Sequence, residues 1–262
     1  MARDREEARL PLGGRRVSGW WPGRPVLRRW TDRVELMDQP AVSPHLLARS
    51  LADMRRVNRL FGWQRPVLRA VQSLLPASGP CTVLDVATGS GDLPLALAAG
   101  LLAPRRSSVR VIASDVHPTV LRLGRRYTAN KGAVSWVGHD ARLLPFPPGS
   151  VDVVTCASAL HHFDEHDAIT VLAALATVAR RGVIVADASR SLLALLAVCV
   201  LSRFSRSPLT WHDGPLSVRR AYTADEVIAL AQRAGWRRIE VQHPDPFRWL
   251  LIGRPPFGPP AS

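Results

Sequence analysis

The chain has 262 residues and a formal net charge of +14; hydrophobic residues make up 47% and charged residues 21%. That length suits one domain with attachments, and that balance excludes a wholly disordered, collagen-like or disulfide-stapled chain. Cys81, Cys156 and Cys199 stand singly in apolar runs, so no zinc cluster is expected, and buried free thiols fit a cytoplasmic setting.

Only Lys131 among the 35 basic residues is lysine, a coding bias as much as a design. A pI near 11.4 still draws the protein toward anionic surfaces. The longest apolar run, residues 192–201, is ten residues, short of the ~20 of a membrane span. The basic N-terminus lacks the apolar stretch of a secretory signal.

Residues 1–33 carry nine arginines against four acids, with scattered Pro and Gly and no period. They read as a disordered basic arm whose Trp20, Trp21 and Trp30 would stack on bases or sit at a lipid interface. Residues 34–78 read as an N-terminal helical cap. Leu46, Leu47, Leu51, Met54, Val57 and Leu60 recur at helical steps after a capping Ser43, and a second helix spans about 63–75.

Residues 79–252 alternate strands with helices. Strands are expected at 81–87, 109–115, 134–137, 151–156 and 182–187, with helices after the first, second and fourth. This is an α/β pattern, a Rossmann-like doubly wound sheet, mostly parallel. Residues 190–222 form an insertion with an apolar helix. A helix at 223–234, with a capping-box start and Gly235 at its end, leads to an antiparallel edge hairpin, 238–242 and 247–252. Residues 253–262 read as a frayed tail.

In such sheets ligands bind beyond the carboxyl ends of the strands. There the sequence sets Asp85-Val-Ala87-Thr88-Gly89-Ser-Gly91-Asp92, then Asp115-Val116, then Asp140-Ala141, then His161-His162. A glycine turn lets a ligand approach backbone, and an acid ending the next strand, 24 residues past Gly91, suits a ribose diol. Asp140 adds an acceptor for an adenine amino group. Pro94 stands where a dinucleotide fingerprint has its third glycine. Asp92 in the first helical turn would repel pyrophosphate and tolerate a cation.

The run Val83-Leu-Asp-Val-Ala-Thr-Gly-Ser-Gly-Asp92, followed in order by Asp115, Asp140 and Leu160-His-His-Phe163, resembles the motifs of class I S-adenosylmethionine (SAM)-dependent methyltransferases. The similarity covers about residues 45–252 and is greatest to the ubiquinone/menaquinone-type enzymes and small bacterial relatives that modify lipophilic acceptors. Glu35-Leu-Met-Asp-Gln-Pro40 and His212-Asp-Gly-Pro-Leu-Ser-Val-Arg-Arg-Ala-Tyr222 look like features of one bacterial subgroup.

The resemblance implies SAM as cofactor, S-adenosylhomocysteine as product and no metal. It implies a cofactor site of Asp85, Ala87, Thr88, Gly89, Gly91, Asp115, Val116, Asp140 and Ala141, with Leu143 beside the adenine. Asp85 would orient the ammonium group. Candidate bases are His161, His162 and His212. The expected acceptor is small and lipophilic, quinone-like or polyketide, as in secondary metabolism. The expected location is cytoplasmic, with contact at the anionic inner membrane face through 192–201. The alternative, an RNA-binding protein or RNA methyltransferase, rests on net charge and the Trp/Arg arm, and nucleic acid is not the expected partner.

Overall fold

The computed structural model describes residues 16–18, 26–39, 41–102, 108–131 and 134–257. Its strands are β1 (Arg16–Ser18), β2 (Cys81–Val86), β3 (Val109–Asp115), β4 (Val134–Gly138), β5 (Val151–Ala157), β6 (Ala179–Ala188), β7 (Arg238–Asp245) and β8 (Arg248–Arg254). They form one sheet in the order β1-β7-β8-β6-β5-β2-β3-β4. The central strands β2 to β6 pair in parallel. The hairpin β7–β8 joins antiparallel to β6 through β8, and β1 adds a parallel edge beyond β7. The expected architecture is therefore present, with one more edge strand than expected.

The strand runs are apolar because both faces are covered. Val183 and Val185 of β6 lie in one buried cluster with Val154 and Leu251. Ile184 and Ala186, one step along, lie in the other with Val83, Val153 and Leu250. The helices are α1 (Pro44–Leu60), α2 (Gln64–Leu74), α3 (Asp92–Gly100), α4 (Pro118–Thr128), α5 (Glu165–Val178), α6 (Leu192–Ser202), α7 (Pro208–Arg220) and α8 (Ala224–Arg233). α5 and α8 cover the first face; α2 and α3 cover the second. α1 lies outside this pair of layers, against α4 and α7.

Local chemistry sets the helix ends. Asp164 and Ser191 accept from the third backbone N–H of α5 and α6, at 2.8 and 3.1 Å. The Thr223–Glu226 capping box starts α8, and Gly235 follows it with φ 87°. Ser43 makes no side-chain cap; Pro44 begins α1 instead.

Two readings of the termini change. Composition predicts a disordered arm over residues 1–33, yet residues 26–33 pack against the insertion. Buried Arg190 donates to the Leu27 carbonyl at 2.7 Å, and Trp30 N–H donates to Arg219 O at 3.0 Å. Arg29 donates to Arg220 O and Phe163 O, at 2.7 and 2.9 Å, with its guanidinium over Tyr222. Trp30 is flanked by Arg33 and Arg219 rather than offered to a base or a lipid. Residues 1–15 and 19–25, with Trp20 and Trp21, lie outside the described residues. At the other end β8 runs to Arg254, and Phe257 packs on Trp236 at 5.7 Å, so the tail past 252 starts as structure; 258–262 lie outside the description. Of the cysteines, Cys81 and Cys156 are buried and Cys199 is exposed, one more departure from expectation.

Strand order reverses between β2 and β5, which makes the carboxyl ends there the natural ligand crevice. Trp136 of β4 braces that crevice from beneath. Its indole N–H donates to Thr128 Oγ1 at 3.0 Å, and its ring fills the space beside both Gly91 and Gly124. A methyl group at Gly124 would overlap this ring. Gly124→Ala should therefore lower stability by about 1–3 kcal/mol, the usual cost of overpacking. Urea denaturation with an unchanged m-value measures it.

Candidate functional site

The glycine turn follows β2 directly. Ala87 and Gly89 both have φ 53°, and Gly91 has φ 76°. The two glycines serve different ends. A Cβ at Gly89 would meet nothing within 4 Å, so open space lies in front of its backbone. A Cβ at Gly91 would lie 2.9 Å from the Trp136 ring, so this glycine is required by packing from behind. Ala87 and Ser158 (φ 54°), at the ends of the adjacent strands β2 and β5, are non-glycine residues in the left-handed region. Strain of this kind collects at ligand sites.

Asp85 lies beneath the turn, 1% exposed. One carboxylate oxygen accepts from Thr88 Oγ1 at 2.5 Å and the other from Thr155 Oγ1 at 2.6 Å. Thr88 thus points inward at Asp85, and its N–H donates to Ser114 O at 2.9 Å. Burial pushes the Asp85 carboxyl up to about 7 against those two hydrogen bonds, with Asp92 and Asp115 adding to the rise. Asp92 caps the same region. It accepts from Asn58 Nδ2 at 3.0 Å and Gln64 Nε2 at 2.5 Å, and Ser90 Oγ donates to its other oxygen. These bonds fasten α1 and the start of α2 to the turn.

Asp115 ends β3. It accepts from Gly89 N–H at 3.0 Å and His117 N–H at 2.9 Å. Burial raises its pKa against those two bonds. Next to it is a cavity of about 210 Å³ lined by Ala87, Asp115, Val116, His139, Asp140, Ala141, Arg142 and Phe163. Five of the nine predicted cofactor residues meet there. Gly89 adjoins it through Asp115, while Asp85, Thr88 and Gly91 support the turn from behind. Leu143, expected beside the adenine, is 79% exposed and is not part of the lining. A larger groove of about 450 Å³, with Arg65, Arg69 and Gln242, includes none of the predicted site residues.

The sequence reading missed Arg142 and His139. Arg142 forks onto Asp140, Nε to Oδ1 at 3.1 Å and Nη2 to Oδ2 at 2.6 Å, and reaches Asp167 at 2.9 Å. The Arg142 hydrogen bonds hold the Asp140 carboxyl below its usual range. Asp140 therefore enters the cavity as a fixed anion already shared with a cation.

A second polar group lies past the end of β5. His161 is buried, its Nδ1 2.8 Å from Asp187 Oδ1 and its Nε2 3.4 Å from Glu35 Oε1. Burial opposes charge on this ring, but Asp187 and Glu35 raise its pKa to about 10. Burial likewise opposes charge on Glu35, but His162 and His161 hold it near 2. His162 lies against the His161 ring at 4.3 Å, with Nδ1 2.6 Å from Asp38 Oδ2 and its side chain 22% exposed. His212 stands apart, 46% exposed, against Asp213 at 2.8 Å.

Glu35 and Asp38 arrive on the 3-10 turn Leu36–Asp38, held down by α7. Asp213 accepts from Leu36 N–H at 2.8 Å and Met37 N–H at 3.0 Å, and Ser217 Oγ donates to Glu35 at 2.8 Å. Arg220 donates to the carbonyls of Arg33, His161 and His162. The two subgroup-like segments in the sequence are thus the two sides of one cluster, closed on the paired histidines.

Residues 83–182 match the family described as a methyltransferase domain. A demethylmenaquinone methyltransferase from Thermus thermophilus is 36% identical over 118 residues, 42% of this chain and 50% of that protein. The chain thus spans about half the length of the relative it matches. Among solved structures, a SAM-dependent methyltransferase from Aquifex aeolicus aligns with TM-score 0.53 and 19% identity, over 71% of this chain and 88% of that one. Human N-acetylserotonin methyltransferase in complex with SAM aligns with TM-score 0.60 and 16% identity, over 81% and 56%. These likenesses agree on the fold. The resemblance to class I methyltransferases of the ubiquinone/menaquinone type, read from the glycine turn and the acids that follow it, stands.

The buried carboxyl under the turn makes a pH prediction. An aspartate raised from its ordinary 3.8 to about 7 binds a proton in the folded state that the unfolded chain has released. Its contribution falls as pH rises through that window and stays lost above it. Asp85→Asn removes the effect. The variant should gain on the wild type between pH 4 and pH 7, at about 1.4 kcal/mol per pH unit and so by up to ~4 kcal/mol at pH 8. Paired thermal or urea denaturation across pH 4–8 would show a flat difference if Asp85 were ordinary.

Proposed function

We propose that this chain, whose residues 83–182 form a methyltransferase domain, transfers a methyl group from SAM to a small lipophilic acceptor of aromatic or quinone-like character. One juxtaposition carries the reading. The Asp115 carboxylate, which accepts from the open backbone of Gly89, lines a cavity over the carboxyl ends of β2, β3 and β4, with the Glu35–His161–His162 cluster past the end of β5. The residues fit the cofactor. Asp115 suits a ribose diol, and Asp140 with Arg142 suits the edge of a base. The three carboxyls Asp85, Asp92 and Asp115 favour a cationic group over a pyrophosphate. When bound, SAM supplies a methyl group on a sulfonium, activated for in-line displacement.

The protein's share of the chemistry is positioning and proton control. His161 has both ring nitrogens turned to carboxylates and is buried, so it orients its neighbours. His162 keeps part of its side chain exposed, with Asp38 at Nδ1 and Glu35 4.0 Å from Nε2, which supports it as the group that takes an acceptor hydroxyl proton. His212 is left at the rim. The quinone-related name of the Thermus relative supports the acceptor class.

The membrane reading gains support from α6. Leu192, Leu193, Leu196 and Val200 are exposed along it, followed by exposed Phe204 and Trp211, with Arg203 and Arg206 beside them. No described helix is long and apolar enough to cross a membrane, so the fitting mode is peripheral contact with anionic lipid at the cytoplasmic face. RNA binding draws no such support, since Arg29, Arg190 and Arg220 are engaged with carbonyls inside the protein.

Calorimetry with S-adenosylhomocysteine tests the cofactor half. Asp115→Ala should weaken binding ten- to a hundredfold, the worth of charge-assisted hydrogen bonds; undiminished affinity would refute the assignment. With a quinol acceptor, His162→Ala should lower kcat by about a hundredfold and leave the cofactor Kd within twofold. On phosphatidylglycerol vesicles, Leu196→Glu with Phe204→Glu should abolish co-sedimentation; equal sedimentation of wild type and variant would remove the membrane reading.

A further inference from the structure

We infer that Glu35, His161 and His162 form a binding site for one divalent transition-metal cation. A Glu35 carboxylate oxygen and one ring nitrogen from each histidine lie within 4.8 Å of one another. His161 Nε2 is 3.4 Å from Glu35 Oε1, and His162 Nε2 is 4.0 Å from Oε2. The two rings lie 4.3 Å apart, tilted by 33°, and both present Nε2 to the Glu35 carboxylate.

The second observation is what stands behind each ligand. Nδ1 of His161 is tied to Asp187 at 2.8 Å, and Nδ1 of His162 to Asp38 at 2.6 Å. A histidine that gives its far N–H to a carboxylate is fixed in tautomer and orientation and is a stronger donor at Nε2. Here both histidines have such a partner. Glu35 is steadied in turn by Ser217, and its turn by Asp213. A lone buried histidine needs one partner; two stacked histidines, each backed by its own carboxylate and sharing a third, match the support of a metal site.

The donor set names the class of ion. Two imidazoles and one carboxylate suit Zn²⁺ or Fe²⁺ and leave positions open for water or another oxygen donor. Hard cations such as Mg²⁺ and Ca²⁺ prefer all-oxygen sites. Bonds of about 2.0–2.2 Å require the three groups to close by roughly an ångström, which the partly exposed His162 can supply. The ion would occupy the gap that a proton bridges between His161 and Glu35. It would also use Nε2 of His162, the atom proposed to act as base, so the bound ion and the base role exclude each other. The site stands on its own geometry and does not rest on the methyl-transfer reading.

The test uses the untagged full chain, stripped with chelator and titrated with Zn²⁺ by calorimetry and with Co²⁺ by visible absorption. The expected result is one ion per chain with Kd of about a micromolar or tighter (roughly −8 kcal/mol) and a Co²⁺ band from bound nitrogen ligands. His162→Ala and Glu35→Gln should each weaken Zn²⁺ at least tenfold and erase the band, with far-UV circular dichroism unchanged. If Glu35→Gln fails to fold, His162→Ala decides alone. No stoichiometric binding by the wild type, or affinity within twofold in the folded variants, overturns the site. Zn²⁺ binding without binding of S-adenosylhomocysteine would leave this site standing and remove the methyltransferase reading; the converse result would do the opposite.

Discussion

A buried imidazole held between two buried carboxylates is the interaction on which the cluster past the end of β5 depends. Asp187 ends β6, His161 follows β5, and Glu35 comes from the segment before α1. Each is desolvated at a cost that the others, with His162 and Ser217 at Glu35, offset, so removing one member leaves uncompensated charge worth roughly 3–5 kcal/mol. Three remote parts of the chain are therefore obliged to meet. α7 completes the assembly because the backbone N–H groups of the Glu35 turn find their acceptor in Asp213.

The other side of the crevice is organised by a different constraint, the turn that holds Gly89 and Gly91 at positive φ. Its backbone is pinned from three directions: Asp115 in front, Trp136 behind and Asp85 beneath. Asp92 links this turn to α1 and α2, so these two helices are anchored to the glycine turn itself. Both halves use acids in a chain that is basic overall. Arg142 and Arg220 aside, most of the excess arginine lies elsewhere, partly exposed and partly engaged on carbonyls.

The parallel strands, the helices after them and the glycine turn were legible because each is a local pattern. Apolar runs of strand length, a capping box and an acid at a strand end need no knowledge of distant residues. Asp115 and Asp140 were found this way, and both line the cavity. Arg142 was not, because an exposed arginine two residues past an acid is commonplace. The cluster was legible only in pieces. Glu35-to-Asp38 and His212-to-Tyr222 stood out as segments, but Asp38 meets His162 across 124 residues and Ser217 meets Glu35 across 182. No periodicity reports such a pairing. Residues 26–33 were misread for a related reason: composition counts charges and prolines, but it cannot tell which carbonyl a buried guanidinium elsewhere requires.

Those carbonyls change how the front of the chain is to be valued. Leu27 and Arg33 contribute no side chain to the cluster, yet their main-chain oxygens receive the guanidinium groups of Arg190 and Arg220. A shortened gene beginning at residue 34 would keep every side chain named in the site and would leave both arginines, each under a tenth exposed, short of an acceptor. By composition this is the stretch to trim. By the wiring of its peptide groups it is a girdle, and the fold behind it would loosen without it.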